Sequence, residues 1–594
     1  MLHLLPTIIT AGTDSTAGNA TKPNLVLFLT DDQDYALGGW TPMRQTVALL
    51  GDTGAIAENW FIHTPVCCPS RAQILSGRYF HNVRVPTPDG GGCMHANTSV
   101  VNPNSFGAVL GKAGYTLGYF GKHMNTCPHA PPPGWDCPTC GWFANGGGND
   151  EEPGGYLNAT FSHFMGGVAV GPDEYHQQAG MYVHFNTPLP PCSSPPAPRL
   201  THPSAVPGAV FVRGSYVANT NGEHAGYTTS LIANYSIAWL HTVATSSKPW
   251  MVTVAPKACH VAAEPAPWYK RGTYIDTLAA PRTPAYNASK EQLADHHHLI
   301  ANQDIITPEQ GQFIDGLFRD RWRTLLSVDD AVAGVVAAVR SLGAFDNTYF
   351  LVTSDHGYNL GQHRLPSCKL NVYDHDIRIP MLIAGPGVRP GAFSHIGSNV
   401  DVAPTLLDIA GLPANADMDG TSIAPLLIDH THAKTPPTTA ARLAEVAAAR
   451  RARRGLEQQV EALPAPVAGD DADDAYAAAV DEWRDVHFVE YYSLGDVLRT
   501  EHLVDEASSN TYRALRFVGS AKYGNFLYAE FTSLDNWNFA DPSQFFYEAY
   551  DVAKDPDQLN NIYHSLDEPT QKALAAQLEK QWQCKGRNGP HACV

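Results

Sequence analysis

The sequence lacks the features that mark several large protein classes. It has no run of about 18 or more apolar residues, so a transmembrane helix is not expected. Its 39 Lys and Arg against 58 Asp and Glu leave a net charge of −19, which argues against a nucleic-acid-binding surface. Eleven cysteines in 594 residues are too few for a disulfide scaffold. The hydrophobic fraction of 44% is typical of a folded globular protein, and the length of 594 residues favours two domains.

Four apolar runs end in polar residues and predict strands of one sheet: 24–32, 114–123, 248–260 and 347–357. Continuous apolar runs of this length are typical of strands buried on both faces of a parallel sheet. A helical pattern from Phe313 to Leu342 stops at Gly343, and strands that alternate with helices indicate an α/β fold. Ligands of open α/β sheets bind beyond the carboxyl ends of the strands. Six polar residues fall there: Asp31, Asp32, Lys122, His260, Asp355 and His356.

These residues suit a cation site that could also hold an anion. Asp31, Asp32 and Asp355 supply hard oxygen ligands of the kind that Ca²⁺ and Mg²⁺ prefer. His356 adds a nitrogen ligand, which leaves zinc open on chemistry alone. The competing interpretation is that paired aspartates after a strand cap the next helix. Two acidic strand ends in one domain, beside basic residues on two more strands, favour the cation site.

The stretch TPVCCPSRAQILSGRY (64–79) places adjacent cysteines at the start of a predicted helix. Cysteine can serve there as a small buried hydrophobe. The alternative is a nucleophile at a helix N-terminus, where free N–H groups and the helix dipole favour negative charge.

The same residues resemble a known family. CCPSRAQILSG fits the C-x-P-S-R signature of the formylglycine-dependent sulfatases, with Cys67 at the modified position. Further segments also match the family: PNLVLFLTDDQD, FGKHMN, LVTSDHGYNLGQH, LPSCKLNVYDHDIRIPMLIAGPG, DVAPTLLDIAGL, MDGTSIAPLL and FFYEAYDVAKDPDQLNNI. The likeness covers nearly the whole chain apart from long loops and one insertion. Within the family, it is strongest to the N-acetylglucosamine-6-sulfatases and the arylsulfatases of green algae.

The resemblance implies an alkaline-phosphatase-like fold, with a largely parallel central sheet flanked by helices and a small C-terminal antiparallel sheet. Four segments are expected: an N-terminal tail or truncated signal region at 1–22, a catalytic domain at 23–432, an Ala/Arg/Asp-rich insertion or linker at 433–485, and a C-terminal subdomain at 486–594. The strands of that subdomain are expected in VHFVEYY, TYRALRFV, GNFLYAEF and FFYEAYD. Independently of the resemblance, Cys584 and Cys593 are close enough in the sequence to form a small disulfide loop after a final polar helix.

The resemblance also implies a reaction, the hydrolysis of sulfate monoesters. Cys67 would mature to formylglycine through a formylglycine-generating enzyme, and its hydrate would attack sulfur beside a cation, Ca²⁺ with Mg²⁺ as the alternative. The implied metal ligands are Asp31, Asp32, Asp355, His356 and the modified Cys67. Arg71 would hold the formylglycine. Lys122, Lys369 and His260 would bind the sulfate, with His260 protonating the leaving oxygen.

Two departures from the family pattern bear on this reaction. Met124 stands where many members have a histidine that acts as the base of the second step, and His260 follows Cys259 instead of the usual proline. The alternatives are an N-acetylglucosamine-6-sulfatase acting on sulfated glycans and a phosphonate or phosphate monoester hydrolase of the same superfamily. A binding protein that lost catalysis is disfavoured, because every implied catalytic and metal position is retained.

The chain also carries weak indications of its compartment. The apolar N-terminal stretch is interrupted by Pro6 and resembles a poor or truncated signal peptide. Acceptor sequences for N-glycosylation occur at Asn97, Asn158, Asn234 and Asn287 among others. We therefore expect a glycoprotein that is secreted, in the periplasm or cell wall, or lysosomal. The His296–His298 run is expected in a solvated loop or helix end.

Overall fold

The computed structural model describes most of the chain: residues 22–85, 96–124, 143–144, 156–157, 164–167, 227–261, 263–428, 483–493, 495, 506–588 and 591–593. The strands are β1 Asn24–Thr30, β2 Ala55–Ala57, β3 Trp60–Phe61, β4 Thr116–Lys122, β5 Phe143–Ala144, β6 Tyr156–Leu157, β7 Phe164–Gly167, β8 Trp250–Ala255, β9 Thr348–Ser354, β10 Met381–Ala384, β11 Gly391–Phe393, β12 Gly397–Ser398, β13 Val486–Tyr491, β14 Thr511–Ser520, β15 Gly524–Thr532 and β16 Phe546–Asp551. The helices are α1 Arg44–Thr46, α2 Cys67–Ser76, α3 Thr98–Val101, α4 Phe106–Lys112, α5 Thr228–Val243, α6 His298–Ala301, α7 Pro308–Ser341, α8 Asp374–Ile377, α9 Val402–Ile409, α10 Ala424–Leu427 and α11 Glu568–Trp582.

The central sheet confirms the predicted α/β fold. Within the described residues it has eight strands in the order β11-β2-β10-β9-β1-β8-β4-β7. The four strands predicted from the sequence are consecutive in that order and pair in parallel, as β9-β1-β8-β4. Only β10 among these eight runs antiparallel to its neighbours. The carboxyl ends of the four predicted strands therefore meet at one edge.

Both faces of the sheet are buried, which explains why these strands are apolar without alternation. Leu25, Leu27 and Leu29 of β1 pack into one cluster with residues of α2, α9 and the C-terminal sheet. Val26 and Phe28 of the same strand face the other side, into a cluster with residues of α5 and α7. Because every second residue points to the opposite face, each face needs its own apolar layer.

The long helix behind the site extends further than its apolar pattern indicated. It runs over Pro308–Ser341 instead of starting at Phe313. The additional first turn is polar, so periodicity does not detect it, but Thr307 and Gln310 form a capping box there. Its end agrees with the prediction, since Gly343 has a φ of 66°. In the described part of the chain, no helix is both long and apolar enough to cross a membrane.

The C-terminal subdomain is the predicted small antiparallel sheet, in the order β13-β14-β15-β16. The predicted Cys584–Cys593 disulfide is present beyond α11. The predicted boundaries of the four segments stay a prediction, and most of the 433–485 insertion lies outside the described residues.

Two expectations about polar residues are wrong. Asn234 lies on α5 with 6% of its surface exposed, so its side chain is buried rather than presented for glycosylation. The His296–His298 run does lie at a helix end, because α6 starts at the exposed His298, but His296 and His297 are 2% and 3% exposed rather than solvated. His296 hydrogen-bonds through Nε2 to the Gln558 carbonyl oxygen at 2.9 Å, and the His297 ring stacks on Phe531. Their polarity is satisfied by tertiary partners, which sequence polarity alone does not reveal.

Candidate active site

Strand ends bring the predicted acidic residues together at one edge of the sheet. Asp31 and Asp32 follow β1, and Asp355 and His356 follow β9, its parallel neighbour. The two strand ends are joined directly, because the Asp32 N–H donates to Asp355 Oδ1 at 3.1 Å. All four residues are fully buried. The sequence prediction that these side chains converge is therefore matched by the placement of the residues in the structure.

The nucleophile candidate lies in the middle of these groups. Cys67 is the first residue of α2, preceded by Val66 in an extended conformation with no side-chain cap. Its Sγ lies 3.2 Å from His356 Nε2, 3.4 Å from Lys369 Nζ and 3.6 Å from Asp31 Oδ1. Burial raises the pKa of Cys67, but Lys122 and Lys369 outweigh it and hold the pKa well below its usual value. The position therefore favours an anionic group at the start of a helix.

Arg71 fixes the helix that carries Cys67 to the acidic edge. Its guanidinium is fully buried and donates from Nε to Asp355 Oδ2 at 2.8 Å. Nη1 donates to the Lys122 carbonyl oxygen at 2.7 Å, and Nη2 donates to that of Thr30 at 3.3 Å. One side chain thus connects α2 with the ends of β9, β4 and β1. Removing one member of such a buried ion pair typically costs about 3–5 kcal/mol.

Two lysines near Cys67 neutralise the aspartates and lower the pKa of the thiol. Lys122 Nζ lies 2.6 Å from Asp31 Oδ2, and Lys369 Nζ lies 2.7 Å from Asp32 Oδ1. Lys122 is 2% exposed, whereas the Lys369 side chain keeps 16% exposed. Burial raises the pKa of Asp31, but Lys122 and other cations bring it well below its usual value. Two ammonium groups beside one nucleophile are suited to binding an anionic substrate group.

The acidic cluster has the chemistry of a cation site. Asp32 Oδ2 is buried and has no hydrogen-bond partner, so one carboxylate oxygen is left for another ligand. His356 Nδ1 faces the Gly357 carbonyl oxygen at 3.0 Å, which places a proton on Nδ1 and directs Nε2 towards Cys67 and Asp32. Burial and the neighbouring Asp31 charge raise the pKa of Asp355. A divalent cation would relieve this repulsion, so the residues present fit the implied metal.

His260 reaches the same place from β8. Its ligand nitrogen lies within 4.8 Å of side-chain ligand atoms of Asp31, Asp32 and Cys67. The loop that carries it is tied to β1 by two backbone bonds, Asp31 N to Ala258 O at 3.0 Å and Cys259 N to Asp31 O at 2.7 Å. Its Nδ1 faces the Val261 carbonyl oxygen, which leaves Nε2 for proton exchange. Replacement of the usual proline by Cys259 therefore does not remove His260 from the site.

Sequence reasoning missed two basic residues near the cluster. Arg321 of α7 is 1% exposed and donates from Nη2 to the Asp32 carbonyl oxygen at 2.6 Å. Asp32 has a φ of 63°, an unfavourable conformation for a non-glycine residue, and this bond helps to hold it. Lys257 lies beyond β8, where burial and the charge of Lys122 lower its pKa to about 8. In the sequence, Arg321 could have been found as a charged residue within an apolar helical pattern. No sequence pattern marks Lys257.

Met124 occupies the position at which many sulfatases have a histidine that acts as the base of the second step. Met124 is fully buried at that position, and the adjacent His123 is also fully buried, with its ring edge-on to Tyr119 at 5.2 Å. Burial lowers the pKa of His123 to about 3. Among the described residues, His260 is therefore the histidine best placed to exchange protons near Cys67 without being an implied metal ligand.

Comparison with known proteins gives concordant results. A family model described as Sulfatase matches residues 23–412. N-acetylglucosamine-6-sulfatase of Homo sapiens is 29% identical over 586 residues, covering 94% of this chain and 84% of that protein. An arylsulfatase of Volvox carteri is 26% identical over 414 residues, covering 66% of this chain and 56% of that protein. A solved structure of a protein in complex with its substrate D-glucosamine-2-N,6-O-disulfate superposes with a TM-score of 0.53 at 20% identity, covering 96% and 99% of the two chains, and supports the fold.

Proposed function

Since the chain belongs to the sulfatase family and is a sulfuric ester hydrolase, we propose that it removes sulfate from a sulfated sugar with Cys67, matured to formylglycine, as its nucleophile. The observation that carries this proposal is the placement of the Cys67 sulfur between Lys369, His356 and Asp31. A phosphonate or phosphate monoester hydrolase remains the alternative within the superfamily.

The metal in this proposal is Ca²⁺, with Mg²⁺ as the alternative. Asp31, Asp32 and Asp355 would hold it with His356 and the modified residue 67, because three carboxylates make a hard, oxygen-rich donor set. Bound there, the cation would neutralise the carboxylates and acidify a hydroxyl group, while the formylglycine hydrate would provide that hydroxyl as nucleophile. A formylglycine-generating enzyme would be the maturation partner.

The chain's own residues would bind and orient the ester. Lys369 lies beside residue 67 and Lys122 is paired with the adjacent Asp31, and both would contact sulfate oxygens, stabilising the negative charge that grows as the ester bond breaks. Arg71 holds α2 against Asp355, and so fixes the direction of attack. His260 would donate a proton from Nε2 to the leaving oxygen, since its Nδ1 is occupied by Val261.

The substrate class in this proposal is a hexosamine 6-sulfate, free or within a glycan. Support comes from the human N-acetylglucosamine-6-sulfatase, to which the similarity extends over 94% of this chain. An aryl sulfate is the second candidate, because the Volvox arylsulfatase is similar over a shorter part. A secreted or lysosomal location agrees with the Cys584–Cys593 disulfide, because such bonds persist in oxidising compartments. Glycosylation stays a prediction at Asn97, Asn158 and Asn287.

A substrate panel tests the proposal. We expect release of sulfate from N-acetylglucosamine 6-sulfate with a kcat/KM at least about tenfold above that for 4-nitrophenyl sulfate, a difference of about 1.4 kcal/mol. Phenyl phenylphosphonate should be cleaved far more slowly than either sulfate ester. Preference for the aryl sulfate would replace the sugar substrate by the second candidate, and preference for the phosphonate would overturn the proposal.

Two lysine variants show whether the activity comes from this site. Lys122→Ala should lower kcat/KM for every sulfate ester by about 10²–10³, the usual loss on removing one charge-stabilising group. Lys270→Ala is the matched control, because that lysine is 51% exposed in a surface ion pair with Glu264. Equal activity of the two variants would contradict the role of Lys122.

A further inference from the structure

A second cluster of histidine and glutamate side chains shares no residue with the Cys67 site. His63 precedes α2, His81 follows it, and Glu490 belongs to β13 of the C-terminal sheet. Their ligand atoms lie within 4.8 Å of one another. The Glu490 N–H donates to the His63 carbonyl oxygen at 2.9 Å, so the strand and the approach to α2 are also joined through their backbones. We call these three residues the His63–His81–Glu490 cluster.

The two imidazoles share one carboxylate oxygen. His63 Nε2 lies 2.7 Å from Glu490 Oε1, and His81 Nδ1 lies 3.0 Å from the same atom. The backbone N–H of His81 also donates to Oε1 at 2.7 Å, while the Tyr492 hydroxyl donates to Oε2 at 2.8 Å. The side chains of His63 and Glu490 are fully buried, and that of His81 is 11% exposed.

On each imidazole, the ring nitrogen that does not face Glu490 shows which nitrogen carries the hydrogen. His63 Nδ1 lies 2.7 Å from the Phe488 carbonyl oxygen, and His81 Nε2 lies 3.0 Å from the Cys584 carbonyl oxygen. A carbonyl oxygen can only accept, so both of these nitrogens must carry a hydrogen. Asn82 Nδ2 is 3.2 Å from His81 Nε2, but its two hydrogens are directed to Asp419 Oδ2 and Cys584 O, each at 2.9 Å.

Neutral rings would then direct two lone pairs at a carboxylate oxygen. Burial raises the pKa of Glu490, and only positive charge on His81 and His63 holds it well below its usual value, so the buried carboxylate is ionised only with positive charge beside it. Against the effect of burial, Glu490 in turn raises the pKa of His81. Two acceptor nitrogens and one anionic oxygen need positive charge between them. Two additional protons, one on each ring, or a single divalent cation would supply it. A histidine that binds a metal through one ring nitrogen usually donates its other ring N–H to a carbonyl or carboxylate oxygen, as both histidines do here.

We propose that the His63–His81–Glu490 cluster binds a zinc ion. Two imidazole nitrogens with one carboxylate oxygen form a donor set that suits zinc, whereas Ca²⁺ prefers oxygen ligands such as those around Cys67. Zinc bonds of about 2.0–2.2 Å require the nitrogen–oxygen separations to widen by about half an ångström. A water molecule would complete four-coordination. The ion would join both ends of α2, which carries Cys67 and Arg71, to the C-terminal sheet.

Zinc binding by the full chain tests this proposal. Protein stripped with a chelator would be incubated with ZnCl₂, freed of excess metal, and analysed for bound zinc by mass spectrometry and for Tm. The Asp31→Asn background is used throughout, to weaken zinc binding at the Cys67 site. We expect about one zinc per chain and a rise in Tm on zinc addition, since binding to the folded state alone stabilises it. His63→Gln and His81→Gln should each remove the zinc and the rise.

His487→Gln is the matched control. His487 lies three residues before Glu490 on β13, is 2% exposed, and donates from Nε2 to the Ile62 carbonyl oxygen at 2.9 Å. Its ring lies edge-on to that of His63, with 6.5 Å between the centroids, so the variant tests the loss of a neighbouring histidine that is not a proposed ligand. This variant should keep both the bound zinc and the rise in Tm, even if its starting Tm is lower. Equal zinc content in all the variants, or a parent protein that binds no zinc in this background, would overturn the proposal and leave two protonated histidines as the source of the charge.

Discussion

Replacing Cys67 by serine is expected to lower kcat for sulfate esters by about 10⁴ or more, as losses of a covalent nucleophile do. Serine cannot become formylglycine by the same maturation from a thiol, and a serine hydroxyl that accepted sulfate would lack the second hydroxyl needed to expel it. Stability should change little, because the two side chains differ by one atom. The measurement is the rate of sulfate release at saturating substrate, together with Tm.

Cys368→Ser is the control for that substitution. Cys368 is also a free cysteine, and its Sγ donates to the Lys369 carbonyl oxygen at 2.8 Å, a bond that a serine hydroxyl can replace. The Cys368→Ser variant is expected to keep activity close to that of the wild-type protein. Full activity of Cys67→Ser would mean that another group attacks sulfur.

Removal of divalent cations is expected to lower activity by about 10³ or more, with recovery on addition of Ca²⁺. Three buried carboxylates converge here, and Asp32 Oδ2, which has no hydrogen-bond partner and lies 3.9 Å from Arg321 Nη1, is available for a cation. Without the cation, repulsion between Asp31 and Asp355 remains, and the nucleophile loses its activating charge. The measurement is the rate after dialysis against a chelator and after titration with Ca²⁺, Mg²⁺ and Zn²⁺ in turn.

Asp32→Asn separates this site from the zinc cluster. The variant should show low activity that Ca²⁺ does not restore, while zinc at His63 and His81 is unaffected. If the wild-type protein stays active after chelation, or regains activity with Zn²⁺ but not with Ca²⁺, the assignment of the acidic cluster to a hard cation would be contradicted.

The strand ends could be predicted because each lies directly beside its buried run in the sequence. Asp31, Asp355 and Lys122 needed only the rule that parallel strands end at the same edge, and the structure places them together. Assignment of Cys67 as the nucleophile depended on the resemblance, since a cysteine at a helix start is equally consistent with packing.

The remaining features depend on tertiary contacts between distant segments. Arg321 approaches Asp32 from a helix 289 positions away in the sequence, and no local pattern marks that contact. Glu490 meets His63 across 427 positions, through strand β13 of the C-terminal sheet. His296 and His297 look solvated in sequence but are buried by partners far along the chain. Periodicity reports which face of an element is apolar, but it does not report which element covers that face.

The central claim is that residue 67 is a formylglycine. Mass spectrometry of the peptide spanning Cys67, from protein purified from its native host, tests this most directly, with a hydrazide reagent to trap an aldehyde. The account predicts that this peptide carries the aldehyde or its hydrate in place of the thiol and reacts with the hydrazide. An unmodified thiol throughout the sample, with no trapped product, would contradict the account and leave Cys67 as a buried cysteine at the start of α2.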